Sequence, residues 1–175
     1  MQSEAGTTLI ETLVATAILL ILMSGLLSMA AVATSITENQ GHLAARTTED
    51  AVDKMEQLLD LTFGDAQSNT TVFPSLTAGG TGLAVGGSSD PTAPVVGYAD
   101  YLDVSGNILC TVASPCGATP PPTWYYKRVW QITNPGGNAT LKQITVSTIV
   151  KSSVGAAMVS KATVSALKTN CLTGC

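Results

Sequence analysis

Few residues of this chain combine a type and a spacing that could do chemistry. Glu11 is the first, a carboxylate at the head of an apolar run in which no further charge occurs before Glu38. An ionised carboxylate is expensive in apolar surroundings unless a cation answers it. The cysteines Cys110, Cys116, Cys171 and Cys175 form the second set. They are even in number and all lie downstream of the apolar run, which suits disulfides in an oxidising compartment. Three complete pairings are open. Two local loops, Cys110 with Cys116 and Cys171 with Cys175, are favoured, while cross-pairing would restrain the C-terminal region more broadly. Each bridge would contribute roughly 2–4 kcal/mol. Their spacing matches common zinc patterns poorly, so no metal site is assigned. His42 has no nearby Cys or second His and reads as a surface residue. Scattered Ser and Asp define no triad, and no Gly-rich phosphate loop ends in Lys. The expectation is a non-enzyme with no cofactor.

The element that must position Glu11 is a helix. Residues 13–33 read LVATAILLILMSGLLSMAAVA, and as a helix they would be about 31 Å long, enough for a hydrocarbon core of roughly 30 Å. Leu, Ile, Met and Ala favour the helix, and only Gly25 weakens it. A cleaved signal peptide is one reading, with Ala31-Val32-Ala33 as the cleavage pattern and Thr34 as the new N-terminus. Residues 1–6 (MQSEAG) carry no Lys or Arg, however, and a signal peptide would need a basic start. A retained helix is therefore favoured. Its Glu11 needs a partner, and a cut after Gly6 would place the new amine of Thr7 at the same membrane depth. A free α-amine, with a reference pKa near 8, is largely protonated at neutral pH. The pair could close within one chain or between staggered subunits, where it would also fix register.

The stretch Gly6-Thr7-Thr8-Leu9-Ile10-Glu11-Thr12-Leu13-Val14 resembles the processing motif of type IV prepilins and type II secretion pseudopilins. The resemblance implies that a membrane peptidase, which is also a methyltransferase, cuts between Gly6 and Thr7 and methylates Thr7. Glu11 matches the acidic fifth mature residue, which registers an incoming subunit. Two positions depart from the pattern: Thr7 stands where an apolar residue is usual, and the leader lacks basic residues. The implied partners are other pilin or pseudopilin subunits, an inner-membrane assembly platform, and the lipid bilayer before assembly. The implied location is the inner membrane with the C-terminal domain in the periplasm, then an extracellular pilus or a periplasmic pseudopilus. The Cys171/Cys175 region resembles the disulfide region of pilins.

The resemblance also implies an α+β fold, with a long N-terminal helix packed on a small antiparallel β-sheet. Residues 1–6 would be the leader, 7–37 the membrane and filament-core helix, and 38–64 its amphipathic continuation. Ala44, Thr48, Ala51, Val52, Met55, Leu58, Leu59 and Thr62 form a mainly apolar stripe along that continuation. Asp50 and Lys54 read as an exposed i,i+4 pair, and Gly64 as a C-cap. Residues 65–97 are a variable connector rich in Gly, Ser, Thr and Pro, with Gly86-Gly87 a turn signal. Such a length should partly pack or pair.

Residues 98–175 carry the strands and the cysteines. Residues 98–104 and 107–110 flank a Ser105-Gly106 turn, and 124–133 and 141–150 flank Asn134-Pro135-Gly136-Gly137-Asn138. Ile144, Val146, Thr148 and Val150 make the packing face of the second long strand. Residues 154–167 could form a last strand around residues 158–164, or a short helix given their Ala content. Trp124, Tyr125, Tyr126 and Trp130 could form a cation–π or carbohydrate platform, but packing on a half-buried strand is the favoured reading, and Lys127-Arg128 reads as a solvated edge.

Composition narrows the function further. Of 175 residues, 45% are hydrophobic and 11% charged, which excludes a disordered chain. Eight Lys and Arg against twelve Asp and Glu give a net charge of -4, and no basic patch suits a nucleic acid. The expected function is a structural subunit of a type IV pilus, a minor pilin in filament assembly, adhesion or DNA uptake. A type II secretion pseudopilin is the first alternative. A secreted or membrane-anchored periplasmic binding module is the second.

Overall fold

The computed structural model describes residues 9–64, 81–110, 119–151 and 160–170. Its elements are α1 (Leu9–Asp60), β1 (Gly86–Gly87), β2 (Ala99–Leu102), β3 (Tyr126–Thr133), β4 (Leu141–Val150) and β5 (Lys161–Thr169). The fold is α+β, a long N-terminal apolar helix packed on a small antiparallel sheet. Two compact units divide the chain, Met1–Gly41 and His42–Cys175.

In the first unit α1 turns its apolar side chains outward. Leu9, Leu13, Leu20 and Leu27 are 82%, 60%, 67% and 71% exposed. Five of the hydroxyls within this stretch are satisfied by the helix itself. The hydroxyls of Thr12, Thr16 and Ser24 donate to carbonyls three residues back, and those of Thr34 and Thr37 to carbonyls four back. Such back-bonding leaves few hydroxyl donors pointing outward, so the cylinder is more apolar than its Thr and Ser content suggests.

In the second unit β3 is the central strand. It pairs β4 along one edge, and along the other β2 and β1 follow one another against residues 126–129 and 131–132. β4 then pairs β5, which closes the order β1-β3-β4-β5. The period-2 alternation of β3 and β4 places Tyr126, Arg128, Trp130 and Ile132 with Ile144, Val146, Thr148 and Val150 on the inner face. Ala162, Val164 and Ala166 extend that face on β5. Against it pack Ala51, Met55, Leu58 and Leu61. The expected β4 face is thus the packing face.

The buried helix face is rotated from the expected stripe. Ala51, Met55 and Leu58 are shared, but Thr47, Asp50, Lys54 and Leu61 are buried while Ala44, Thr48 and Thr62 are exposed. The pair Asp50/Lys54 is therefore not a surface pair. For Lys54 the reason is an acidic partner on the sheet, Asp100, described below.

α1 stops at Asp60, short of Gly64, which is not its cap. Two lysines from the sheet take that role. Lys168 donates to the carbonyls of Leu59 and Leu61, and Lys142 donates to those of Phe63 (2.6 Å) and Leu83 (2.7 Å). Cations at a helix C-terminus satisfy orphan carbonyls and complement the dipole. Lys142 and Lys168 are direct cross-strand neighbours, a like-charge pairing offset by these carbonyl contacts.

The connector is packed where it is described. Leu83 is fully buried, and the Tyr98 hydroxyl donates to the Ala84 carbonyl at 3.0 Å. Gly86-Gly87 form strand β1 and not a turn. A Cβ on Gly87, at φ +81, would overlap the Trp130 carbonyl and lie 2.7 Å from Cδ1 of Tyr98. Only glycine lets the backbone pass under that ring.

Ser105-Gly106 makes the expected tight turn, held by Asp103 Oδ1 accepting from the backbone N–H groups of Ser105 (2.8 Å) and Asn107 (2.9 Å). The strand expected after it is reduced to one bridge, Leu102 with Ile108. β5 begins at Lys161, later than expected, and residues 152–159 lie outside the described residues. Gly87→Ala is expected to cost more than about 1 kcal/mol, read as a lower urea midpoint of the full chain in detergent.

Candidate functional site

The residues singled out by sequence fall in separate places. Glu11 sits in the first described turn of α1 and is exposed, among Leu9, Ile10, Leu13 and Val14, themselves 50–82% exposed. Gly6 and Thr7, the expected processing and methylation positions, lie outside the described residues. So do Cys116, Cys171 and Cys175. Cys110 carries no free thiol, and the pairing lies outside the described residues. His42 is exposed, and among the described residues no three His, Cys, Asp or Glu side chains converge as a metal site.

The apolar cylinder around Glu11 is the chain's most unusual surface. Among the described residues α1 holds the one stretch long and apolar enough to cross a membrane, with a mean hydropathy of 2.4 in its most apolar window and none of that window buried. Such a surface is stable in lipid or against other apolar helices.

A second site was not anticipated: a buried ion cluster joining helix and sheet. Arg128 on β3 and Asp100 on β2 are register partners. The guanidinium grips the carboxylate with two bonds, Nε to Oδ1 at 2.7 Å and Nη2 to Oδ2 at 2.8 Å. From α1, Lys54 Nζ reaches Asp100 Oδ2 at 2.8 Å and lies 4.4 Å from the ring centre of Trp130. Arg128 Nη1 turns back to α1, donating to Asp53 Oδ2 at 2.9 Å. Lys54, Asp100 and Arg128 are at most 1% exposed. Lys127-Arg128 is therefore not a solvated edge: Arg128 faces inward, and Lys127 faces the outer side, donating to the Pro91 carbonyl at 2.9 Å.

The partners in this cluster are pushed in opposite senses. Burial raises the Asp100 carboxyl, but Arg128 and then Lys54 outweigh it and hold the group down at about 2. Burial lowers the Lys54 ammonium to about 8, and the nearby Arg128 charge offsets part of what Asp100 returns. Asp100 is the anion on which the cluster depends. The signal for this site was present in the sequence. Arg128 falls in phase with Trp130 and Ile132 on a strand, and Lys54 in phase with Ala51, Met55 and Leu58 on a helix.

Comparison of the chain with protein-family models, with curated proteins and with solved structures finds no match.

The cluster separates two substitutions. Asp100→Leu strands two buried cations and is expected to cost about 3–5 kcal/mol, whereas Lys54→Met leaves the bidentate pair and is expected within about 1 kcal/mol of the parent. Urea unfolding of the full chain in detergent measures both. The pH dependence follows from the same shifts. The Asp100 contribution is complete above its ordinary 3.8 and is lost as pH falls towards 2. Between about 8 and 10.5 the unfolded chain holds the Lys54 proton that the fold has released, so this residue's contribution rises with pH there. Lys54→Met should remove that alkaline rise.

Proposed function

We propose that the chain is a structural subunit of a thin filament of the type IV pilus class, stored in a membrane through α1 and anchored there until assembly. The outward-facing apolar cylinder of α1 carries this reading, since its side chains are exposed all round and the hydroxyls of Thr12, Thr16 and Ser24 are bonded inward. Lipid would cover it before assembly and the same cylinder on neighbouring subunits afterwards, so transfer exchanges one apolar environment for another. Glu11 is the one charge carried into that environment. An α-amine released at Thr7, on the same or an adjacent helix, would answer it and set the stagger between subunits.

The second unit would remain outside the membrane and supply the filament's surface. Its helix–sheet connection is fastened by charge at Lys54, Asp100 and Arg128, and by the lysine contacts to the end of α1. A type II secretion pseudopilus would use the same parts. The prepilin peptidase and the assembly platform belong to this reading as partners.

Intact mass of the mature protein provides the first check. The expected species begins at Thr7 and carries one added methyl group, and a species beginning at Thr34 would remove the cylinder and the mechanism with it. Glu11→Ala is then expected to lower incorporation into filaments about tenfold, the effect of losing roughly 1.4 kcal/mol of subunit contact. Unchanged incorporation would show that Glu11 does not set register.

A further inference from the structure

A cleft of about 460 Å³ lies in the second unit, away from the ion cluster, lined among others by Asp90, Trp124, Lys127, Ile149 and Lys161. It is built by register. Lys127, Ile149 and Lys161 are successive partners across β3, β4 and β5, and all point to the outer face of the sheet. The loop around Asp90 is held over that row by Lys127 Nζ on the Pro91 carbonyl and by Ser89 Oγ on Gln131 Oε1. Trp124 forms another wall, braced edge-on by Tyr101 with ring centres 6.1 Å apart. The size falls in the roughly 300–1,000 Å³ range of small-molecule sites.

The cleft's charge runs against that of the chain. The protein carries a net -4, yet the Lys127 and Lys161 ammoniums line this cleft and Lys151 Nζ lies 5.5 Å from the Trp124 ring centre. The single carboxylate among them is Asp90. Its Oδ1 is occupied by the backbone N–H of Thr92 at 2.9 Å and the Thr92 hydroxyl at 2.8 Å, which fixes the group and leaves Oδ2 to accept from a ligand. Ile149 and the indole supply apolar contact.

From this arrangement we infer that the cleft binds an acidic saccharide, a sugar of the uronic acid type. Its carboxylate meets the lysines, a hydroxyl donates to Asp90, and its C–H face covers Ile149 and Trp124. Inorganic phosphate has no C–H face to cover Ile149 and Trp124, and a neutral sugar leaves the lysines without a counter-charge. A basic ligand is repelled. The inference stands whether or not the chain assembles into filaments.

The test is calorimetric titration of the full chain in detergent with trigalacturonate, beside maltotriose and triglutamate. Saturable binding of trigalacturonate is expected, with maltotriose about tenfold weaker or more, matching the loss of one charge contact of roughly 1.4 kcal/mol. Lys161→Glu should weaken trigalacturonate binding at least as much, and Lys161→Gln should weaken it less. Lys161 is exposed, so an unchanged thermal midpoint is expected in both variants and separates loss of binding from loss of fold. Absence of saturable binding, or binding indifferent to Lys161→Glu, would overturn the inference. Equal affinity for triglutamate would reassign the cleft to acidic peptides and overturn it as well.

Discussion

An α-helix with Leu, Ile, Met and Val outward on every side cannot rest in water, and the rest of the molecule is arranged around that fact. Each large side chain left in water forfeits roughly 1.5–3 kcal/mol, so the run from Leu9 to Ile36 as a whole amounts to something on the order of tens of kcal/mol. Among the described residues no globular part of the chain answers that demand, because the most apolar window of the stretch is not buried at all. The chemistry within the helix is consistent with an apolar destination. The hydroxyls of Thr12, Thr16, Ser24, Thr34 and Thr37 are returned to the helix's own carbonyls, and Glu11 is the sole charge between Leu9 and Ile36.

The second unit solves the opposite problem, that of joining a helix to a small sheet with little apolar surface to spend. Its core, Ala51, Met55, Leu58, Trp130, Ile132, Ile144 and Val146 among others, is modest and is supplemented by charge. Asp100 is gripped by Arg128 and Lys54 at the middle of the contact, while Lys142 and Lys168 hold the chain where α1 ends. A buried ion pair is weak evidence for stability, but it has directional requirements that an oily contact lacks. Asp100 is satisfied only when β2, β3 and α1 meet in one register, and a slip of one residue on β3 would send Arg128 to the opposite face. The cluster thereby specifies the packing.

How much of this was legible in the sequence depends on which physical signal carried it. The apolar cylinder and the inner face of β4 follow from hydropathy and period-2 alternation, and both stand in the structure. The rotation of the buried helix face did not follow, because a stripe drawn from apolar residues alone assigns Asp50 and Lys54 to solvent. The burial of Lys54 is decided by Asp100, a residue distant in sequence, and a tertiary partner overrides local polarity there. The helix end was misplaced for a related reason: Gly64 is a plausible cap locally, but lysines from β4 and β5 donate to the carbonyls of Leu59, Leu61 and Phe63. Gly86-Gly87 carried the composition of a turn and serves as a strand, since what it needs is closeness to Tyr98 and not reversal of the chain. The aromatic run at Trp124 suggests a carbohydrate or cation–π platform only as the weaker reading, because the cleft itself is assembled from three strands and a loop that no local pattern brings together.

The central claim is that residues such as Leu20, in the middle of the apolar cylinder, are never in contact with bulk water in the mature protein. A photo-crosslinking amino acid placed at position 20 in cells tests this most directly. The expected products are adducts with lipid before assembly and with position-matched helices of neighbouring subunits afterwards. Recovery of a water-soluble mature protein that lacks position 20, or that carries it without either kind of adduct, would contradict the account.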